Sequence, residues 1–360
     1  MSNPAALPLT VYGANQSFFT RKVTGYLDYK QLPWHLRRGV GPSQQLRDGG
    51  WPGGLPAVIG GDGDVMWDST SLILHLEHHF PERGVLPVDP VQRFLAFVLE
   101  DFNDEWLYRP AVGSRWLYPD TADHGSWDLA REAVHEIPVP IGQIRELVSA
   151  GVTMSLEPLG VTPHNIDAII DESLKPWLGA LSEHVGAHGY LFGARPSIAD
   201  FAFYGGNAAH FVNDPLCWEW TEQCGPEVAQ HMFRLTNPAD QQFGDWSPGG
   251  EVPDTMLGLL RQVGRHYLPW VAAATIDGHA SIEFDDGAVA DITATEFVKQ
   301  ARGVMLARYV DARSPAIDAV LDEAGILPYF ADHVAQATEI PDPAPRPRPD
   351  DNRPYPAGPQ

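Results

Sequence analysis

Residues 9–23 read LTVYGANQSFFTRKV, and this stretch joins two different periodicities. Its first four residues form a short β-rich run that ends at Gly13, a turn signal. From Ser17 onward apolar residues recur at helical spacing, beginning with Phe19 and Val23. We therefore predict that the chain opens with a strand, a turn and an amphipathic helix.

The following residues predict a hairpin and a second helix. Two short apolar runs, at 57–59 and 65–67, are separated by GGDGD, whose Gly and Asp residues supply the positive φ angles of a tight turn. Capping residues then open a helix over 68–80. With a short strand near 34–36, this order of elements is typical of a thioredoxin-like α/β domain, which we place at 8–83.

The rest of the chain has a mainly helical pattern, which predicts a second domain at 89–338. Two strand-like runs with Asp-Gly turns interrupt the pattern at 275–293. After a long helix that begins at Pro90, helices are predicted at 165–188, 197–213, 253–274, 294–310 and 315–323. The tail at 339–360 is rich in proline and is predicted to be a flexible, polyproline-like extension.

Composition narrows the classes of function. The chain has 360 residues and a formal net charge of −23, which argues against a nucleic-acid partner because phosphate binding needs a basic surface. No apolar run approaches the ~20 residues that span a bilayer, and the N-terminus lacks a signal-peptide pattern. We expect no membrane partner and a cytoplasmic protein. Cys217 and Cys224 fit neither a disulfide framework nor a zinc pattern, and GGDGD lacks the full acidic series and terminal Glu of a calcium loop, so no metal is expected.

Three sequence features occur in a recognisable order. They are YGANQSFFTRKV at 12–23, the pairs Leu55-Pro56 and Asp68-Ser69 around the predicted hairpin, and GARPSIADFAF at 193–203. In this combination the chain resembles the glutathione S-transferase superfamily over about residues 9–215. The resemblance implies a thioredoxin-like N-terminal domain, an all-α C-terminal domain, glutathione as co-substrate and a homodimer. An extra C-terminal extension, at about 216–338, has no counterpart in the family pattern.

Ser17 is the candidate catalytic residue, since it matches the serine or cysteine position of family members of the S/C-x-x-x-R-K-V type. A helix N-terminus offers unpaired N–H groups and a positive dipole end, and a hydroxyl there can donate to a thiolate and lower the thiol pKa. Asn15 and Thr20 are local rivals for this role, and a plain N-cap is the alternative. A hydroxyl rather than a thiol favours transfer of glutathione to an electrophile over disulfide exchange.

The resemblance also implies residues that bind the cofactor. Pro56 would be cis, and Leu55 would pair its backbone with the cysteinyl part of glutathione. Asp68 would take the ammonium and Ser69 the carboxylate of the γ-glutamyl end, at a helix N-terminus suited to carboxylates. The alternatives are an ordinary proline at a strand start, a plain helix cap and a different low-molecular-weight thiol. Further candidates for carboxylate contacts are Arg47 and Trp51.

The electrophile is expected between the domains, beside the long helix that begins at Pro90. Aromatic walls with a cation suit a bulky or aromatic small molecule, including an anionic one. The candidate pocket residues are Phe18, Trp106, Tyr108, Arg115 and Trp116. Packing of these side chains in the core is the alternative.

These features together predict a glutathione S-transferase-like enzyme, in which the glutathione thiolate attacks an electrophile, with ether cleavage as a variant. Ser197 and Asp200 have the spacing of a capping box and are assigned a structural role. The alternative function is a non-catalytic thiol-binding or scaffold protein with the same fold, motivated by the long extension and the proline-rich tail.

Overall fold

The computed structural model describes residues 7–38, 44–134, 137–153, 156–238, 241–249 and 252–341. The N-terminal unit within these ranges consists of β1 (Leu9–Gly13), α1 (Phe18–Lys30), β2 (Trp34–Arg38), α2 (Gln44–Asp48), β3 (Ala57–Ile59), β4 (Val65–Trp67) and α3 (Ser69–His79). The tail predicted at 339–360 lies, beyond residue 341, outside the described residues.

The four strands form a mixed sheet in the order β2-β1-β3-β4. β1 is parallel to β2, whereas β3 is antiparallel to both β1 and β4, which confirms the predicted hairpin. Gly13 pairs with Arg38, Tyr12 with Ala57, and Ala57 with Trp67. The ends of β1, β2 and β4 and the start of β3 therefore meet at one edge of the sheet, which we call the Gly13 edge.

The short helix α2 was not predicted, because residues 31–50 have a polar and irregular pattern. Its one buried apolar residue, Leu46, packs in a small cluster with Tyr12, Ala57 and Ile59 of the sheet. Tertiary packing, rather than a local periodicity, therefore stabilises this helix.

The second unit is mainly helical. Its helices are α4 (Pro90–Phe102), α5 (Tyr108–Leu117), α6 (Pro119–Ala133), α7 (Ile141–Thr153), α8 (Ile166–Ile169), α9 (Lys175–His188), α10 (Ile198–Gly206), α11 (Pro215–Cys224), α12 (Pro226–Thr236), α13 (Asp254–Arg265), α14 (Tyr267–Asp277), α15 (Glu296–Ala312), α16 (Pro315–Glu323) and α17 (Pro328–Ala331). A hairpin of β5 (His279–Glu283) and β6 (Val289–Thr293) confirms the strands predicted at 275–293. The chain is thus a thioredoxin-like domain followed by a helical domain.

Prolines break helices that the periodicity predicts as continuous. Single π-helical turns occur at Asn103–Leu107, before Pro110, and at Ile170–Leu174, before Pro176. The predicted helix at 253–274 is likewise divided into α13 and α14 just before Pro269. Proline lacks the N–H that would bond to the carbonyl four residues earlier, so the local hydrogen-bond pattern has to change.

The extension is an integral part of the helical domain. Tyr267 and Trp270 of α14 are buried, and the Tyr267 hydroxyl donates to the Asp101 carboxylate of α4. Farther along, the Phe330 ring packs on Phe94 of α4 with ring centroids 5.6 Å apart. Residues after 254 therefore complete the core on one side of α4.

Helix α10 supports α1 from within the core. A β-carbon at Gly205 would lie 2.6 Å from the carbonyl oxygen of Phe18, so only glycine permits this approach of the two helices. The start of α10 is fixed by the predicted capping box, in which the Ser197 hydroxyl oxygen accepts from the Asp200 N–H and the Asp200 carboxylate accepts from the Ser197 N–H. This packing sets the position of α1 and hence of the residue that caps it.

Candidate functional site

Three segments meet at the Gly13 edge. Ser17 follows the end of β1, Pro56 precedes the start of β3, and Asp68 follows the end of β4. Because these strand ends are in register, residues that are distant in sequence are brought to one face of the domain.

Ser17 is the N-cap of α1, as the sequence predicts, with φ −86° and ψ 122°. Its hydroxyl oxygen accepts from the Thr20 N–H at 3.3 Å, and its carbonyl oxygen accepts from the Arg21 N–H at 3.0 Å. Among the residues that the structure describes, none accepts the proton of the Ser17 hydroxyl. The hydroxyl is half-buried and can therefore donate to a bound group.

The two rivals of Ser17 have different surroundings. The Thr20 side chain is fully buried, at 0% exposure, which keeps it away from a ligand. The Asn15 backbone N–H donates to Oε2 of Glu132, on α6, at 2.8 Å. Glu132 is a residue that sequence reasoning missed, because its partner lies more than a hundred positions earlier in the chain.

The bond between Leu55 and Pro56 is cis, as predicted. Pro56 is buried, and Leu55 is half-buried directly before β3. The backbone of Leu55 thus lies at the Gly13 edge, next to the first paired residue, Ala57.

Helix α3 begins with a side-chain cap. The N-cap is Asp68, since Oδ1 of Asp68 accepts from the Ser71 N–H at 2.9 Å. Asp68 has a φ of 69°, an uncommon conformation outside glycine that occurs often at functional sites. In the described part of the chain, neither Oδ2 of Asp68 nor the Ser69 hydroxyl has a hydrogen-bond partner. Both atoms remain available to a ligand.

Cations lie along the same edge. Arg37 and Arg38, at the end of β2, are exposed, and the Arg37 guanidinium lies 5.2 Å from the centre of the Tyr12 ring. Neither was predicted as a site residue. Of the two further candidates, Arg47 is exposed on α2 and bonds to Gln44, whereas Trp51 packs against the small cluster around Tyr12.

The predicted aromatic pocket lies mostly in the core. Phe18 and Trp106 are each 1% exposed and Trp116 is 9% exposed, which favours the packing alternative. The Trp106 indole N–H donates to Ser173 at 2.6 Å, and its ring lies 6.1 Å from that of Trp270. These three side chains therefore do not form the open walls that the sequence suggested.

Tyr108 keeps a position suited to a ligand. It is half-buried, and its ring lies 5.3 Å from the half-buried Phe19 ring, two residues after Ser17. Phe19 and Tyr108 thus form an aromatic pair beside the start of α1.

Arg115 forms a buried ion pair. At 2% exposure, its Nε and Nη2 donate to the two carboxylate oxygens of Asp214 at 2.8 and 2.9 Å. Its Nη1 donates to the Gln16 carbonyl oxygen at 3.0 Å. The guanidinium therefore bonds to other groups of the protein. Arg115 makes structural contacts in place of the predicted contact with substrate.

A second buried charge cluster joins the two domains behind the start of α3. The Lys22 ammonium, at 0% exposure, lies 2.5 Å from carboxylate oxygens of both Glu100 and Asp104. Burial opposes the charge of Lys22, but the two carboxylates outweigh it and raise its pKa. Burial and the neighbouring Glu100 charge raise the pKa of Asp104 to about 7, against the lowering effect of Lys22.

We predict that Asp104→Asn stabilises the protein above neutral pH. The raised pKa of Asp104 means that the folded state holds a proton that the unfolded state loses near its ordinary pKa, so stability decreases as pH rises up to about 7. The asparagine variant has no carboxyl group to titrate, so its stability should not decrease in this way. The Glu100 carboxylate would still neutralise the charge of Lys22. Denaturant unfolding should show a gain of about 1–3 kcal/mol at about pH 8 and little difference at about pH 4. Equal gains at both pH values would contradict the assignment.

Within the described ranges, no cluster of three or more His, Cys, Asp or Glu residues could hold a metal ion. Among the same residues, no helix combines the length and apolarity needed to cross a membrane.

Residues 11–84 match the family model described as the glutathione S-transferase N-terminal domain. No curated protein matches the chain.

Solved structures with similarity to the chain have low sequence identity. The beta-etherase LigF from Sphingobium sp. strain SYK-6 is 18% identical, with 65% of this chain and 97% of that chain covered and a TM-score of 0.49. A glutathione S-transferase from Methylobacterium radiotolerans, in complex with glutathione sulfonate, is 17% identical, with 66% and 98% covered and a TM-score of 0.40. Another, from Methylobacillus flagellatus with glutathione bound, is 17% identical, with 63% and 93% covered and a TM-score of 0.37.

Proposed function

We propose that the chain is an enzyme of the glutathione S-transferase type that binds glutathione at the Gly13 edge, since residues 11–84 match the N-terminal domain of that family. The bound thiol loses its proton to solvent, and the thiolate attacks an electrophilic carbon. A carbon–sulfur bond forms, and the leaving group departs with the electron pair of the bond that breaks.

The arrangement of Ser17 carries this proposal. Its hydroxyl lies at the N-terminus of α1, accepts from the Thr20 N–H and has no acceptor for its own proton among the described residues. A donor at the positive end of a helix dipole stabilises a thiolate more than a thiol. Such a group raises the reactive fraction of the cofactor near neutral pH.

The other ends of glutathione have matching groups in this proposal. The Leu55 backbone pairs with the cysteinyl unit. The Ser69 hydroxyl and the N-terminus of α3 take the γ-glutamyl carboxylate, and the open oxygen of Asp68 takes the ammonium. Exposed Arg37 and Arg38 attract the remaining carboxylate to the same edge.

The proposed second substrate is a bulky or aromatic electrophile. It would pack on the pair formed by Phe19 and Tyr108, because these two rings are half-buried whereas the neighbouring Phe18 ring is buried. A homodimer, cytoplasmic location and the domain limits 8–83 and 89–338 also remain proposals. Sedimentation of the full chain tests the dimer.

We predict that Asp68→Asn weakens glutathione binding by about 10–100-fold, because a charge-assisted bond to the ammonium is lost. The change is specific, since asparagine caps a helix as well as aspartate does. Isothermal titration measures it. Asp64→Asn, an exposed carboxyl in the hairpin turn, is the matched control and should bind like the wild type. Equal affinity in the Asp68 and Asp64 variants would show that Asp68 does not bind glutathione. If the wild type does not bind glutathione, glutathione is not the cofactor.

The electrophile is then identified by turnover. Aryl halides, epoxides and aryl ethers, each supplied with glutathione, cover substitution, ring opening and ether cleavage. Tight binding of glutathione with no turnover on such a panel would favour the alternative of a non-catalytic thiol-binding protein.

A further inference from the structure

The peptide bond that leads into Ser17 is held at both of its polar atoms. The Ser17 N–H donates to the Ala14 carbonyl oxygen at 3.0 Å, within the same loop. The Gln16 carbonyl oxygen accepts from Nη1 of Arg115 at 3.0 Å, from the helical domain. A peptide plane that is bonded on both edges has little freedom to rotate.

Arg115 is itself held rigidly. Its Nε and Nη2 donate to the two carboxylate oxygens of Asp214 as a bidentate pair, and Nη2 also donates to the Ala209 carbonyl oxygen. Asp214 is 0% exposed, and a further neighbour, His210, has Nδ1 3.3 Å from the same carboxylate. The fixed fork of a guanidinium makes such geometry possible, whereas a lysine could not reach all three partners.

A second contact holds the preceding residue. Oε2 of Glu132 on α6 accepts from the Asn15 N–H at 2.8 Å. Helices α5 and α6 cross closely enough for both contacts because residue 125 is glycine, where a β-carbon would lie 2.7 Å from Cδ of Arg115. The helical domain thus grips two successive residues directly before the candidate catalytic serine.

We propose that Arg115 is a positioning residue, which acts through the Gln16 carbonyl to fix Ser17, with Glu132 as the second grip. The catalytic consequence rests on the proposed function. With the plane before Ser17 fixed and its own carbonyl bonded to Arg21, the serine keeps only the rotation of its side chain. The hydroxyl oxygen can then move only on the circle described by rotation about the Cα–Cβ bond of Ser17. The contacts from the helical domain fix the position of that circle.

The test removes the grip without leaving a buried charge unpaired. The double variant Arg115→Met/Asp214→Asn eliminates both partners, which buried pairs tolerate better than loss of one. Glu132→Ala removes the second contact, the one to the Asn15 N–H, and serves if the double variant does not fold. Arg302→Met is the matched control, since Arg302 is also 2% exposed and bonds to a backbone carbonyl, that of Tyr329, in the extension.

The first measurement needs no cofactor. Amide hydrogen exchange in peptides that cover 14–20 should be faster in the double variant and in Glu132→Ala, but unchanged in Arg302→Met. Exchange equal to that of the wild type in a folded double variant would overturn the proposal. If the wild type does not bind glutathione, the proposed function fails and this measurement alone decides the positioning role.

The second measurement separates positioning from simple loss of stability. We expect kcat of the double variant to fall by about 10–100-fold, because small misplacements of a catalytic group are costly. Affinity for S-methylglutathione, which has no thiol proton, should stay the same, and the pH profile of the bound glutathione thiol should shift upward. An unchanged pH profile and kcat in the folded variant would overturn the catalytic consequence. The Arg302 variant should change only the unfolding midpoint.

Discussion

Ser17→Ala is expected to lower kcat/KM for glutathione transfer by about 10²–10³-fold, because it removes a preorganised donor to the developing anion. Binding of glutathione should change much less, since its contacts along β3 and α3 do not involve the hydroxyl. The bound thiol should ionise at higher pH, and ultraviolet absorbance of the thiolate measures this directly.

The loss of the donor has to be separated from the loss of the cap. Alanine at an N-cap costs about 1 kcal/mol of stability, and Ser17 is the cap of α1. Ser17→Thr keeps both the hydroxyl and the cap, whereas Ser17→Asp keeps the cap and replaces the donor by a negative charge. We therefore expect activity in the threonine variant and none above the alanine level in the aspartate variant.

The rival hydroxyl provides an internal control. Thr20 is fully buried, and its hydroxyl has no hydrogen-bond partner among the described residues, so Thr20→Val should keep turnover. Full activity of Ser17→Ala together with loss in Thr20→Val would transfer the role to Thr20. Full activity in both variants would show that neither hydroxyl stabilises the thiolate.

The local parts of the site could be predicted because their signals are local. Ser17 and Asp68 each lie where a strand or turn pattern gives way to a helical one, and both are helix caps in the structure. The paired strands that bring them together follow from the hairpin and the parallel unit, whose turn and spacing signals are also short-range.

The contacts between the domains could not be predicted. Arg115 bonds to Gln16 and Asp214, each 99 positions away, and nothing in a short window distinguishes a buried arginine from one that meets substrate. Trp106 presents the same problem, because the Trp270 ring that packs near it belongs to the extension. Whether a side chain is exposed depends on residues that are far away in the sequence, and its own sequence neighbours give no sign of them.

The extension also changes what the helical domain is. Because the Tyr267 hydroxyl bonds to Asp101 and the Phe330 ring packs on Phe94, one side of α4 is core in this chain. The other face of α4 therefore packs against the thioredoxin-like domain. On that face Glu100, with the adjoining Asp104, contacts Lys22. The site thus depends on a helix that is packed from both sides.

The largest stability effect is expected from Asp200→Ala. Asp200 is 0% exposed and accepts from the Ser197 N–H and hydroxyl, both at 2.7 Å, and from the Leu191 N–H at 3.0 Å. The His231 ring nitrogen lies 2.9 Å from it as well. Removing the Asp200 carboxylate leaves several buried polar groups without a hydrogen-bond partner, so we expect a loss of about 3–5 kcal/mol in the free energy of unfolding.

Denaturant unfolding measures this loss, and Asp254→Ala is its matched control. Asp254 also lies in the first turn of a helix, α13, but is exposed, so its loss should cost less than about 0.5 kcal/mol. Asp200→Asn should fall between the two, since an amide accepts through only one oxygen. A loss below about 1 kcal/mol in Asp200→Ala would mean that water or rearranged side chains satisfy the freed groups. The support of α1 by α10, and with it the position of Ser17, would then not depend on this network.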